Sequence, residues 1–410
     1  MEQLILAIYL FILIGSFILD RWLDVLNVRH SLPEIPSELR GIYDEEEYRK
    51  SQNYKKENTR FSFISGSFSL MVMVLFVVLG LFGVLDQWLA ERTHSYYILV
   101  LLFFGILAFL SDIAGTPFEI WDTFRIEEKY GFNKTTPRTF IVDKLKGWLV
   151  MAIIGGGILL LITWIYMATA EYFWLLAWAV ITVFSILMNM FYSNLIVPLF
   201  NKQTPLEAGE LRDAIEAFAD KVGYNLKNIY VIDGSKRSSK ANAYFTGLGP
   251  KKRIVLYDTL IKDLETEEIV AVLAHEIGHY KKKHSLSGLI LGIVQTGIML
   301  YLFSLFVGIP EFSQALGGEG ASFHIGLIAF SIIYSPLSML IGIGTNVFSR
   351  KNEYQADAYA AEHYNGENLI SALKKLSRNS LSNLTPHPIY VFFHYSHPTL
   401  LQRIKALHKA

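Results

Sequence analysis

No cysteine occurs in the 410 residues of the chain. Disulfides are therefore excluded, and so are thiolate metal sites and thiol nucleophiles. Any bound metal must sit on His, Asp or Glu. Charge is scarce too. Soluble domains carry about 25% charged residues. Here the share is 18%, against 52% hydrophobic, and the mean hydropathy is +0.33. An apolar excess of this size points to a bilayer as solvent. The formal net charge is zero, which argues against a nucleic-acid partner.

What the chain does have is long hydrophobic runs. A bilayer-crossing helix needs roughly 20 mostly apolar residues. Seven stretches qualify: 3–23, 62–89, 97–117, 147–169, 173–197, 285–308 and 324–348. The first has no basic start and no small-residue cleavage site, and its Arg21 lies at the far end. It reads as an uncleaved span rather than a signal peptide. The segments between spans alternate sharply in charge. Seven Lys/Arg fall in 24–61, six in 118–146, fourteen in 198–284 and eight in 349–410. On the other side Arg92 stands alone. By the positive-inside rule the N-terminus is expected outside and the C-terminus in the cytosol. The expected divisions are spans one to five with two cytosolic loops (1–197), a cytosolic αβ catalytic module (198–284), spans six and seven (285–348) and a cytosolic tail (349–410).

Within the module, 205–222 has helical periodicity. Segments 228–233, 242–246 and 253–258 read as strands, with a turn at Gly247 and 249–252. Residues 265–283 read as a helix running almost directly into span six, and a further helix leaves span seven. The first of these helices contains HEIGH at 275–279. Positions i and i+4 share a helix face, so His275 and His279 can address one ion, with Glu276 beside a water on it. Catalytic zinc takes three protein ligands and leaves one position open. The helix leaving span seven reads SRKNEYQAD at 349–357 and carries Glu353 and Asp357, again at i and i+4. Glu353 suits the third ligand. Asp357 suits an acceptor for the ring N–H of His275, fixing its tautomer. Zinc in such a site acidifies water and polarises a carbonyl. Glu276 would take the water's proton and pass it to the leaving amine. The developing oxyanion needs donors, and His397 and Arg403 in YSHPTLLQRI are candidates. One zinc per chain is expected.

The chain also resembles a known family, the type 1 CAAX prenyl proteases, which are membrane zinc endopeptidases. The resemblance runs through IPSELRGIYDEEEYRKSQNY at 35–54, PFEIWDTFRIEEKYGFNKTTPRTFIVDKLKG at 117–147, LFNKQTPLEAGEL at 199–211, YVIDGSKRSSKANAYFTG at 230–247 and RIVLYDTL at 253–260. HEIGH, SRKNEYQAD and YSHPTLLQRI complete it. It implies a mainly α polytopic fold in which seven transmembrane helices enclose a water-filled chamber, with a small αβ metalloprotease module. His275, His279 and Glu353 match the ligands and Glu276 the general base. His397 and Arg403 match residues that hold substrate or the transition state. Asn242 matches a residue of an edge strand that binds the peptide backbone, with Ala243 and Tyr244 following it. An extended peptide added to such an edge gains main-chain hydrogen bonds. Family members remove the last three residues of isoprenylated CAAX peptides. The chain is compact, with short outer loops and no evident C-terminal retrieval signal, which suits a prokaryotic member. The bacterial inner membrane is then expected, or the endoplasmic reticulum in a eukaryote.

Two other functions compete: a general membrane quality-control protease with no lipid requirement, and a transporter or scaffold with a vestigial metal site. Other features read as structural. Lys281, Lys282, Lys283 and His284 suit an interfacial anchor at a helix end. Asp112, Asn189 and Asn346, inside spans, should face the chamber or another helix.

Overall fold

The computed structural model describes residues 1–31, 35, 41–224, 229–246 and 253–409. The turn expected at Gly247 and 249–252 lies outside them. Among the described residues seven helices are long and apolar enough to cross a membrane: Glu2–Arg29, Glu45–Val78, Tyr96–Tyr130, Pro137–Thr169, Phe173–Phe200, His284–Phe306 and Phe323–His363. This is a multi-pass membrane protein. The second span starts well before its apolar part, because Asp44 and Glu47 form a reciprocal cap that starts the helix in polar sequence.

Each span packs on its neighbours in sequence, and the seventh returns to the first. The result is a closed ring. Between 6% and 28% of each span's apolar window is buried within the protein, and the ring encloses a chamber. Two apolar cores bound it. One, at the end away from the metal site, joins the ends of the spans through Tyr9, Phe103, Phe173, Phe303 and Phe323. The other belongs to the αβ module and the tail.

The first core corrects the second span. The apolar run 62–89 is not one helix: it breaks after Val78 and resumes as Leu81–Ala90. Gly80 sits at φ +61 and meets Gly317, itself at φ +89, backbone to backbone. The Gly83 N–H donates to the Leu316 carbonyl at 3.2 Å. A loop between spans six and seven is thus pinned under the Leu81–Ala90 helix, and Tyr9 donates to the Phe312 carbonyl beside it.

The module contains a four-stranded sheet made of β1 (Gln203–Pro205), β2 (Ile229–Ile232), β3 (Ala243–Thr246) and β4 (Arg253–Tyr257) in the order β1-β2-β4-β3. β2 and β4 run parallel, and the outer strands are antiparallel to them. The helix expected over 205–222 begins only at Glu210. Its expected start belongs instead to β1, an edge strand, where Pro205 is tolerated. β3 forms the opposite edge. Asn242 lies one residue ahead of it, with its carbonyl accepting from the Tyr257 N–H at 3.0 Å. Among the polar residues inside spans, Asp112 accepts from Lys144 and Trp148 of span four. Asn346 donates to the Phe393 carbonyl at 2.8 Å, and Asn189 is exposed.

Candidate metal centre and active site

The HEIGH helix spans Thr266–Lys281. Its first turn is anchored by Glu268, which is buried, closes a reciprocal cap with Glu265 and accepts from Ser371 Oγ (2.6 Å) and Lys375 Nζ (2.8 Å) of the Gly366–Asn379 helix. Across its middle lies the seventh span. That span continues without a break for 41 residues, to His363, so the tail residues Glu353 and Asp357 ride on a rigid extension of it. Gly278, inside HEIGH, lets the two helices close up. A Cβ there would lie 3.1 Å from Ala356 Cα and 3.1 Å from Tyr359 Cβ.

This crossing gathers three side chains. His275 Nε2 and His279 Nε2 are 3.1 Å apart. Glu353 Oε1 lies 3.1 Å from His279 Nε2, and Glu353 Oε2 lies 3.5 Å from His275 Nε2. His275 and Glu353 are buried and His279 is partly so. Among the described residues Glu353 Oε2 has no hydrogen-bond partner although it is buried. Unpaired buried carboxylate oxygens are costly, and two imidazole lone pairs facing each other at this range repel. A cation between the three groups removes both penalties, so the residues fit a metal.

Partners on the far side of each group orient it. His275 Nδ1 is 2.8 Å from Asp357 Oδ1, so this nitrogen carries the hydrogen and Nε2 is left bare. Arg403 grips the same carboxylate with two bonds, at 2.6 and 2.8 Å. Burial works against the Arg403 charge, but the pairing with Asp357 more than offsets it and raises the pKa further. Arg403 Nη1 also stands 3.6 Å from Glu353 Oε2. His397 Nε2 approaches Glu353 Oε1 to 3.4 Å from the other side and is mostly exposed. Glu276 is half-buried on the same helix. A cavity of about 330 Å³ opens beside His279 between spans six and seven, lined by Gly288, Gly292, Thr345 and Asn352.

Asn242, Ala243 and Tyr244 are grouped at the sheet edge. The Asn242 side chain is exposed and accepts from the Ala243 N–H at 2.8 Å. Tyr244 points toward span five, its hydroxyl 3.5 Å from Ser193 Oγ and 3.4 Å from Gln203 Nε2.

The N-terminal part, residues 24–202, matches the model of the CAAX prenyl protease N-terminal domain with five membrane helices. Residues 205–410 match peptidase family M48. The chain is 37% identical to CAAX prenyl protease 1 of Saccharomyces cerevisiae, over 91% of this chain and 88% of that one. Against the CAAX prenyl protease 1 homolog of Arabidopsis thaliana the identity is 35%, over 96% and 95%. The crystal structure of S. mikatae Ste24p superposes with a TM-score of 0.94 at 35% identity, covering 98% of this chain and 99% of that one. The chain belongs to the CAAX prenyl protease branch of peptidase family M48. It is a membrane metalloendopeptidase, and the reading of a vestigial scaffold is set aside.

In this M48 peptidase, two of the residues read as interfacial have other work. Lys281 donates to the carbonyls of Val222 and Gly223 at 2.7 and 3.3 Å, just past the Glu210–Lys221 helix, where a cation is favoured. His284 is buried, with Nδ1 3.0 Å from His279 Nδ1 and Nε2 2.9 Å from Gln355 Oε1. An unbroken helix would turn His284, five residues on, away from His279. The structure breaks the helix at Lys283, which adopts φ +60, and that kink swings His284 back. No periodicity in the sequence marks the kink.

Proposed function

We propose that this peptidase uses one zinc ion, held by His275, His279 and Glu353, to hydrolyse the C-terminal peptide of isoprenylated CAAX substrates. The convergence of those three side chains beside Glu276 carries the reading. Two imidazoles and a carboxylate, with no sulfur, favour zinc. The bound ion would acidify a water and polarise the scissile carbonyl. Glu276 takes the proton from the water and hands it to the leaving amine. Arg403 is kept charged by Asp357 and supplies positive charge where the oxyanion develops, and His397 offers a ring nitrogen beside it. Asp357 holds His275 in the tautomer that leaves Nε2 free. The peptide would add to the edge of β3 at Asn242, Ala243 and Tyr244, through main-chain hydrogen bonds that do not depend on its sequence. Relatives named as CAAX prenyl proteases support the substrate class.

The alternation of Lys and Arg between spans supports an N-terminus outside and a C-terminus in the cytosol. The host membrane would be the bacterial inner membrane, or the endoplasmic reticulum in a eukaryote. Cleavage of a farnesylated CAAX peptide beside its unlipidated twin tests the substrate. Cleavage of the farnesylated peptide alone is expected. Equal cleavage of both would move the role to general membrane proteolysis.

A further inference from the structure

We propose that His284 and Gln355 form a hydrogen-bond relay that fixes the tautomer of His279 and so sets its grip on the metal; this rests on the metal-site reading above. Gln355 Oε1 can only accept, so His284 Nε2, 2.9 Å away, carries the hydrogen. A neutral His284 then presents a bare Nδ1. That atom faces His279 Nδ1 at 3.0 Å, so His279 Nδ1 must donate. Its own Nε2 is left unprotonated, and this is the nitrogen 3.1 Å from Glu353 Oε1. The two ligand histidines thus reach the same tautomer by different means. His275 is set by a carboxylate. His279 is set by a neutral imidazole that is locked in turn by an amide.

The placement is built rather than incidental. His284 is 8% exposed. The Lys283 backbone takes a left-handed conformation that a side-chain-bearing residue rarely adopts, and it turns His284 onto the ligand. Gln355 lies on the seventh span's extension between Glu353 and Asp357. One helix therefore supplies a ligand, the carboxylate that orients His275 and the amide that locks His284. His284 and Gln355 are positioning residues, since both act through His279.

The test is zinc competition on the full chain in detergent against graded chelator, with melting of the metal-free protein recorded alongside. Partners of this kind typically contribute 10- to 100-fold in metal affinity. Gln355→Leu and His284→Ala should each weaken zinc binding by roughly that factor. Gln355→Glu keeps an acceptor for His284 Nε2 and should lose less zinc affinity than Gln355→Leu. In the His284→Ala background, Gln355→Leu should add no further loss, because the relay is already cut. Unchanged affinity in both single variants, with or without a lower melting temperature, overturns the proposal. So does a loss in Gln355→Glu equal to that in Gln355→Leu, which would indicate packing. Should His284→Ala not fold, the two Gln355 variants still decide. A wild-type chain that takes up no zinc would overturn the metal-site reading itself.

Discussion

Glu268 keeps its charge in a buried place at the first turn of the HEIGH helix. Burial raises its pKa, but Lys375, Ser371 and the Glu265 N–H together lower it below the ordinary 4.5. A carboxylate with a depressed folded pKa contributes stability that is complete above its unfolded value and is lost as the pH falls through the folded one. The melting-temperature advantage of wild type over Glu268→Gln should therefore be full near about pH 7 and shrink below about pH 4.5. An advantage that grew toward acid would contradict the pairing. Residues on regular helix faces are the ones that could be read beforehand. His275 with His279, and Glu353 with Asp357, are i, i+4 pairs, and the structure draws both pairs to one point. His284 and Gln355 could not be read, because their roles depend on a backbone kink at Lys283 and on which helix crosses which.

Among the elements, the spans and the HEIGH helix were legible from apolar runs and periodicity, which report burial directly. Others were not, among them β1 and the Leu81–Ala90 helix. β1 was hidden because its three residues precede a helical pattern and merge with it. The break after Val78 was hidden because the apolar run continues through it; the cause is the Gly80–Gly317 contact, which is tertiary. That contact carries a prediction. A Cβ on Gly83 would lie 1.7 Å from the Gly317 carbonyl oxygen, a backbone atom that cannot rotate away. Gly83→Ala should destabilise the protein by about 1–3 kcal/mol, the usual range for overpacking, seen as a lower melting temperature. Gly15→Ala, at a position with no heavy atom within 4 Å of an added Cβ, is the control and should melt close to wild type.

For the whole molecule, the alternation of charge between spans bears on which side each loop faces and not on how the spans pack. Hydropathy counts the helices but says nothing of a hollow centre; the chamber was implied by resemblance, and the closure of span seven on span one makes it visible. Absence of cysteine makes the topology simple to test. With no native thiol, His94→Cys and Lys236→Cys, both at exposed positions, each carry the sole reactive site. An impermeant maleimide should label His94→Cys in intact cells or sealed right-side-out vesicles. It should label Lys236→Cys only after the membrane is opened. The reverse pattern would invert the proposed orientation.

The central claim is that His275, His279 and Glu353 hold one zinc which Glu276 uses but does not bind. The zinc-to-protein ratio of the purified chain tests it most directly, measured on wild type, Glu276→Gln and Glu353→Ala. The account predicts about one zinc per chain in wild type and in Glu276→Gln, and a large loss in Glu353→Ala. It also predicts that Glu276→Gln hydrolyses peptide at least about 100-fold more slowly than wild type. Full zinc in Glu353→Ala, or wild-type hydrolysis by Glu276→Gln, would contradict it.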